Sequence, residues 1–256
     1  MEIDSFEHGV PSWVDLGTPD IGAAAEFYSS LFGWTVDDEG PPDAGGYRMC
    51  TLRGRAVAGL GPQMNPGPPF WTTYVAVDDV DKTTAAVAEA GGQTLMEPMD
   101  VLDAGRMAVF ADPSGAAFSV WQARAHAGAG IVNEPGTLSW NELLTTDVEG
   151  SKTFYQAVFG WSATTHEGEM PYTEFKLSDR SIAGMMLKPP MMPAEIPPHW
   201  GVYFAVEDTD ATVAKVIELG GQVLMPATDI EPGRFATVCD PAGAAFNVIA
   251  MAEEMS

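Results

Sequence analysis

Apolar and polar positions along the chain fall into one unit, a strand, a helix and three further strands, that recurs four times. Residues 12–17 read as a short strand ended by Thr18-Pro19-Asp20. Asp20 is placed to cap a helix running to about Leu31, because its side chain can accept from the first free backbone N–H groups. Ala23, Phe27 and Leu31 share one face of that helix, and Gly33 stops it. Strands are predicted near 34–37, 47–52 and 56–60, with Arg53-Gly54-Arg55 as a hairpin turn. The Pro- and Gly-rich segment 62–69 leads into a strand over 71–77. Asp79 or Asp81 starts a second helix that ends at Gly91-Gly92. Strands near 93–96, 106–112 and 116–122 complete the half, with Asp112-Pro113-Ser114-Gly115 as a β-turn.

The second half repeats the first. Trp13-Val14-Asp15-Leu16, Asp20, Phe27-Tyr28 and Phe32-Gly33-Trp34 return as Trp140-Asn141-Glu142-Leu143, Asp147, Phe154-Tyr155 and Phe159-Gly160-Trp161, at a constant offset of 127 residues. The block from Trp71 to Asp81 returns from Trp200 to Asp210. The closing strands, from Gly105-Arg106 through Asp112-Pro113 to Phe118, return from Gly233-Arg234 through Asp240-Pro241 to Phe246. Duplication on this scale fixes an α+β architecture of two tandem domains, 8–124 and 137–252, joined by an Ala- and Gly-rich linker at 125–136. Each pair of strand-helix-three-strand units forms a curved, cup-shaped sheet backed by helices, and the concave face is where a ligand would sit.

Composition narrows the classes. A chain of 256 residues with 46% hydrophobic content has room for two ordinary cores. A formal net charge of −24 disfavours nucleic acid and anionic membrane, since approach to phosphate is repulsive. Cys50 and Cys239 occupy non-equivalent positions in predicted strands and read as small buried hydrophobes in a reducing compartment. Neither a cationic start followed by an apolar run nor a stretch of about 18 apolar residues is present, so a soluble cytoplasmic protein is expected.

The Asp-capped helix with Phe-Tyr, the Phe-Gly-Trp that follows, and the Val-Asp-Asp-Val-Asp, Gly-Gly, Gly-Arg and Asp-Pro-x-Gly series together resemble the vicinal oxygen chelate superfamily. That superfamily includes glyoxalases, extradiol dioxygenases, and fosfomycin and bleomycin resistance proteins. The resemblance runs from about Pro11 to Ala250, and the tandem starts are closest to two-domain actinobacterial glyoxalase-like proteins. It implies a divalent metal held in each cup by His or Gln on the first strand, His on the fifth and Glu on the fourth or eighth. Carried over by position, the first-strand ligand falls on Trp13 and Trp140. The fifth-strand ligand falls on Thr72 and Gly201, and the eighth-strand ligand on Ser119 and Asn247. The fourth strands, around Gly59 and Gly184, hold neither His nor carboxylate. Indole cannot ligate a divalent ion and glycine offers no side chain, so no metal and no other cofactor is expected in either half.

What remains at those positions suggests other chemistry. Trp13 and Trp140 would floor the cups, either as packing or as stacking platforms for a planar ligand. Asp15 and Glu142 lie two residues further on the same strands, hence on the same face, and are candidate acids or bases or anchors for a ligand hydroxyl or amine. A structural hydrogen bond is the bland reading of both. Arg106 and Arg234 would pair with these acids or merely bridge surface loops. His199, two residues from Gly201, is a candidate base or displaced ligand, or a residue at the rim where its strand opens. His8 and His126 fall in tail and linker, and His166 in a loop. Thr72, Tyr74, Ser119 and Trp121 would line the first cup, and Tyr203, Asn247 and Met186 the second. Met185-Met186 and Met191-Met192 add adaptable apolar surface.

Three functions follow in order. The first is a metal-independent protein that sequesters a hydrophobic, aromatic small molecule, as family resistance proteins do. The second is a metal-free lyase, isomerase or cyclase using a cup carboxylate. The third retains metal-dependent glyoxalase or dioxygenase chemistry. The fused halves imply a monomer that is its own pseudo-dimer, or a weak homodimer.

Overall fold

The computed structural model describes residues 1–38, 44–64, 66–190 and 192–252. The first unit comprises β1 (Pro11–Thr18), α1 (Ile21–Phe32), β2 (Thr35–Val36), β3 (Arg48–Leu52) and β4 (Arg55–Pro62). The second comprises β5 (Phe70–Ala76), α2 (Val80–Glu89), β6 (Gln93–Val101), β7 (Gly105–Ala111) and β8 (Ala117–Ala123). The third is β9 (Leu138–Thr145), α3 (Val148–Phe159), β10 (Ser162–His166), β11 (Tyr172–Leu177) and β12 (Arg180–Leu187). The fourth is β13 (His199–Ala205), α4 (Thr209–Glu218), β14 (Gln222–Ile230), β15 (Gly233–Cys239) and β16 (Ala245–Met251).

Asp20, Asp79, Asp147 and Asp208 each cap their helix by accepting a backbone N–H, from Ala23, Lys82, Gly150 and Ala211 respectively. Gly33 and Gly160 end α1 and α3 in the left-handed conformation. Each half closes into one eight-stranded sheet, ordered β2-β3-β4-β1-β5-β8-β7-β6 and β10-β11-β12-β9-β13-β16-β15-β14. The central strands β1 and β5 pair antiparallel, while β4 returns parallel beside β1 and β8 beside β5. Among the described residues no helix is long and apolar enough to cross a membrane.

The cores differ from the one-per-half arrangement that the duplication suggests. Two cores form, and each is built from both halves. One joins Phe27, Tyr28, Phe32, Trp34 and Trp71 with Val202, Phe204, Val238 and Phe246. The other joins Val75, Phe110 and Phe118 with Phe154, Tyr155, Phe159, Trp161 and Trp200. The aromatic faces of α1 and α3, with Phe27, Tyr28 and Phe32 or Phe154, Tyr155 and Phe159, pack against residues of the partner half.

Polar contacts pin this exchange. Tyr28 Oη donates to Asp240 Oδ2 at 3.2 Å, and Trp71 Nε1 donates to Tyr28 Oη at 3.2 Å. The mirror set is Tyr155 Oη to Asp112 Oδ2 at 3.0 Å and Trp200 Nε1 to Tyr155 Oη at 2.9 Å. The other carboxylate oxygen of each aspartate accepts backbone N–H groups of its own turn, from Ser114 and Ala116 or from Ala242 and Ala244. Trp34 Nε1 donates to Gly136 O and Trp161 Nε1 to Gly9 O, both at 2.7 Å. Between the central strands, buried Thr73 Oγ1 donates to Asn141 Oδ1 at 2.8 Å, where the other side of the pseudo-twofold has Val14 and Val202.

The two cores place their bulk at different positions. Phe204 packs on Trp34 at a ring separation of 5.5 Å, and its counterpart in the first half is Val75. Phe175 packs on Trp161 at 5.1 Å, and its counterpart is Cys50. Each core therefore holds one phenylalanine and one small residue at these two places, as interior packing requires.

The segment 125–136 is tied down. Ala129 N donates to Ser12 O and Gly130 N to Ala56 O, while Ala129 and Ile131 are buried. Unfolding is expected to be one cooperative transition. Tyr155→Phe leaves the Trp200 indole N–H and an Asp112 oxygen unpaired in the interior, at a cost of about 1–3 kcal/mol in urea denaturation. Two separated transitions, one per half, would contradict the shared cores.

Candidate functional site

Period-2 alternation in β1 sends Val14 and Leu16, both fully buried, toward the helices, and Trp13 and Asp15 toward the concave face. In β9, Trp140 and Glu142 take the same places. Facing strands complete each floor: Tyr74 pairs with Trp13, Thr72 with Asp15, Tyr203 with Trp140 and Gly201 with Glu142. Ser119 pairs with Tyr74, and Asn247 with Tyr203. The positions carried over from the family thus converge on one face in each half.

A hydrogen-bonded chain runs across each floor. Trp13 Nε1 donates to Tyr47 Oη at 3.0 Å, and Tyr47 Oη donates to Asp15 Oδ2 at 3.3 Å. Tyr74 Oη donates to the same oxygen at 2.8 Å, and Thr72 adds a further side-chain hydrogen bond. In the second cup, Trp140 Nε1 donates to Tyr172 Oη at 2.9 Å, Tyr172 bonds Glu142, and Tyr203 Oη donates to Glu142 Oε1 at 3.0 Å. Each carboxyl therefore sits between two phenols, one of them steadied by the floor indole.

The fourth strand makes room for this chain. Gly59 lies beside Asp15 in register, and Gly184 beside Glu142. A Cβ on Gly59 would stand 1.8 Å from Tyr47 Oη, and one on Gly184 1.8 Å from Tyr172 Oη. The tyrosine hydroxyl occupies the space that any fourth-strand side chain would need.

Burial pushes the Asp15 carboxyl up to about 6, against the opposing pull of the Tyr74, Thr72 and Tyr47 hydroxyls. Burial likewise raises Glu142, offset in part by Tyr172 and Tyr203. Tyr47 and Tyr74 are raised well above the usual phenol value, by burial and then by the charge on Asp15, so both remain donors.

These residues do not fit a divalent ion. The first-strand position is an indole in both cups, and the fifth is a hydroxyl or a bare backbone. Asn247 is committed, accepting from Thr237 Oγ1 at 2.7 Å and donating to Val202 O at 3.3 Å. Hydroxyl donors already occupy the Asp15 carboxylate. Among the described residues, no three His, Cys, Asp or Glu side chains are grouped to hold a metal.

Other candidates scatter. His199 begins β13, and its Nδ1 lies 2.9 Å from Pro197 O, outside the Glu142 chain. Arg106 pairs with Asp81 of α2 and Asp100 of β6, and Arg234 with Asp210 of α4 and Asp229 of β14, so each ties a helix to an edge strand rather than pairing with a cup acid or bridging loops. Met186 lies beside Tyr172 on the cup face, half-buried, whereas Met185 is fully buried on the helix side. Met191 lies outside the described residues. Cys50 and Cys239 are free and buried. A cavity of about 240 Å³ lies between Phe6, Asp78, Trp121 and Gln122.

Sequence reasoning missed Tyr47, Tyr172 and His126. The two tyrosines are recognisable only as a pair, each followed twelve residues later by a glycine on the fourth strand. His126 lies in the segment between β8 and β9, and its ring stands edge-to-face with Trp13, 4.5 Å away, and 5.8 Å from Trp121. Trp121 Nε1 holds the segment by donating to His126 O at 2.8 Å.

The Asp15 shift has a testable sign. Between its ordinary 3.8 and about 6, the folded chain keeps a proton that the unfolded chain has lost. Stability contributed by this group therefore declines as pH rises through that window and is level above it. The urea midpoint of Asp15→Asn relative to the natural chain is expected to rise between pH 4 and 6 and then hold steady. A flat difference would mean the carboxyl ionises at its ordinary value.

Comparison with known proteins places this geometry. The profile of the Glyoxalase/Bleomycin resistance protein/Dioxygenase superfamily matches residues 11–120 and 127–248. CFP32 of Mycobacterium tuberculosis is 49% identical over 253 residues, 95% of each chain. Anthracycline biosynthesis protein DnrV of Streptomyces peucetius is 41% identical over 265 residues, covering 97% of this chain and 95% of its own. Among solved structures, the Mn(II)-bound glyoxalase from Novosphingobium aromaticivorans superposes with a TM-score of 0.67 at 18% identity, over 96% of this chain and 84% of that one. The 2,3-dioxygenase LapB from Pseudomonas sp. KL28 gives 0.65 at 15%, over 96% and 94%. Identity that low speaks to fold alone. Matched in both halves and related over nearly its full length to chains at 49% and 41% identity, the protein belongs to the glyoxalase/bleomycin resistance protein/dioxygenase superfamily.

Proposed function

We propose that this protein works without metal and binds a hydrophobic, planar aromatic small molecule in a tryptophan-floored cup. One observation carries the reading: in both halves an indole takes the family's first-strand ligand position and donates to the tyrosine that serves the cup carboxylate. A flat indole face and a buried carboxyl raised above its ordinary value suit a flat ligand carrying a hydroxyl, which would stack on the ring and donate to the acid. The relationship to a protein named for anthracycline biosynthesis supports a polycyclic aromatic of this kind. The halves already supply each other's core contacts, so the working unit is the monomer.

A second reading, proton transfer in a lyase, isomerase or cyclase, is favoured by the Asp15 value of about 6, which suits an acid or base near neutral pH. Turnover by the deprotonated carboxylate would rise with pH through about 6 and vanish in Asp15→Asn.

Purified protein is expected to carry no stoichiometric divalent metal, and EDTA to leave its melting temperature unchanged. Zinc, nickel, iron or manganese at one per chain would overturn the metal-free reading. Titration with 1,4-dihydroxyanthraquinone is expected to quench tryptophan fluorescence saturably. If no such planar hydroxylated aromatic saturates the natural chain, the binding reading fails. Sedimentation is expected to give one chain of 27.2 kDa.

A further inference from the structure

The two floors share their hydrogen-bonded chain, yet they are covered differently. In the first cup Trp13 is 4% exposed and Trp121 6%, and the His126 ring stands edge-to-face against both. His126 Nε2 is buried with no hydrogen-bond partner, so the ring fills space rather than bonding the floor. Its segment is fixed at several points. Trp121 Nε1 and the Ala104 backbone hold His126, and Ala129 and Gly130 are bonded to Ser12 and Ala56.

In the second cup the place of Trp121 is taken by Ile249, a smaller side chain. Trp140 is half-buried, and among the described residues no aromatic ring is packed on it. Tyr172, which accepts from the Trp140 indole, Met186 paired beside Tyr172, and Phe235 are likewise only half-buried. Phe235 stands 6.0 Å from Tyr203, a further apolar wall. A planar molecule can reach the indole of the second floor, whereas the imidazole already lies on that of the first.

We propose that the cups have divided their roles: the second is the ligand site, at one molecule per chain, and His126 is the residue that closes the first. This rests on the aromatic-binding reading above. Titration of the intact chain with 1,4-dihydroxyanthraquinone, followed by calorimetry, tests it. The natural chain is expected to bind one equivalent, and Trp140→Leu to weaken that binding at least tenfold. His126→Ala, which removes the ring, is expected to bind two equivalents. His126→Phe, which keeps the cup filled, is expected to bind one. Near-UV circular dichroism verifies that each variant is folded, and His126→Ser replaces the alanine variant if that one is not. Two equivalents in the natural chain, full affinity in Trp140→Leu, or one equivalent in folded His126→Ala or His126→Ser would each overturn the division of roles while leaving aromatic binding intact. Absence of binding in the natural chain and in the His126 variants would instead remove the aromatic-binding reading itself.

Discussion

The structure depends on a hydrogen bond made twice across the seam between the halves. In each case a helix tyrosine donates to the aspartate of the partner's Asp-Pro-x-Gly turn, while a fifth-strand tryptophan donates to the tyrosine. A buried carboxylate is tolerable only when its lone pairs are met, and here one oxygen is met by its own turn and the other by the opposite half. The turn is complete only when the halves are docked. Docking in turn sets the aromatic cores, which hold the sheets in the curvature that makes the cups.

The concave faces make none of these hydrogen bonds across the seam. In the first half Trp13 and Tyr74 also belong to the shared core, whereas the polar chain through Asp15 and Tyr47 bonds only within its own half. The most telling substitution is the silent one. With Gly59 and Gly184 beside the acids, the fourth strand offers space, and it is filled by Tyr47, just ahead of β3, and by Tyr172, the first residue of β11. Superposition on a Mn(II)-bound glyoxalase and a 2,3-dioxygenase shows that the fold is shared.

Much of this was legible beforehand. The duplication gave the four units, and the four capping aspartates gave the helix starts, because both depend on local chemistry. Period-2 alternation put Trp13 with Asp15 and Trp140 with Glu142 on one face. The exchange of cores was not legible, since hydrophobic periodicity says which face of a helix is buried and not what buries it. Tyr47 and Tyr172 escaped because the loops before them differ in length, which shifts their offset from 127 to 125. His126 lies beyond the closing strand of its unit, among small residues whose pattern predicts only a connector. It is brought to Trp13 by tertiary contacts alone.

The compensation between the cores carries a consequence for the chain's history. Phe204 and Cys50 belong to one core, and Phe175 and Val75 to the other. Two copies of the first half alone would set Cys50 and Val75 in each core and leave it hollow. Two copies of the second would force Phe175 and Phe204 together and overfill it. The halves have drifted into lock and key, so the fusion can no longer be undone by simple fission into a symmetric pair.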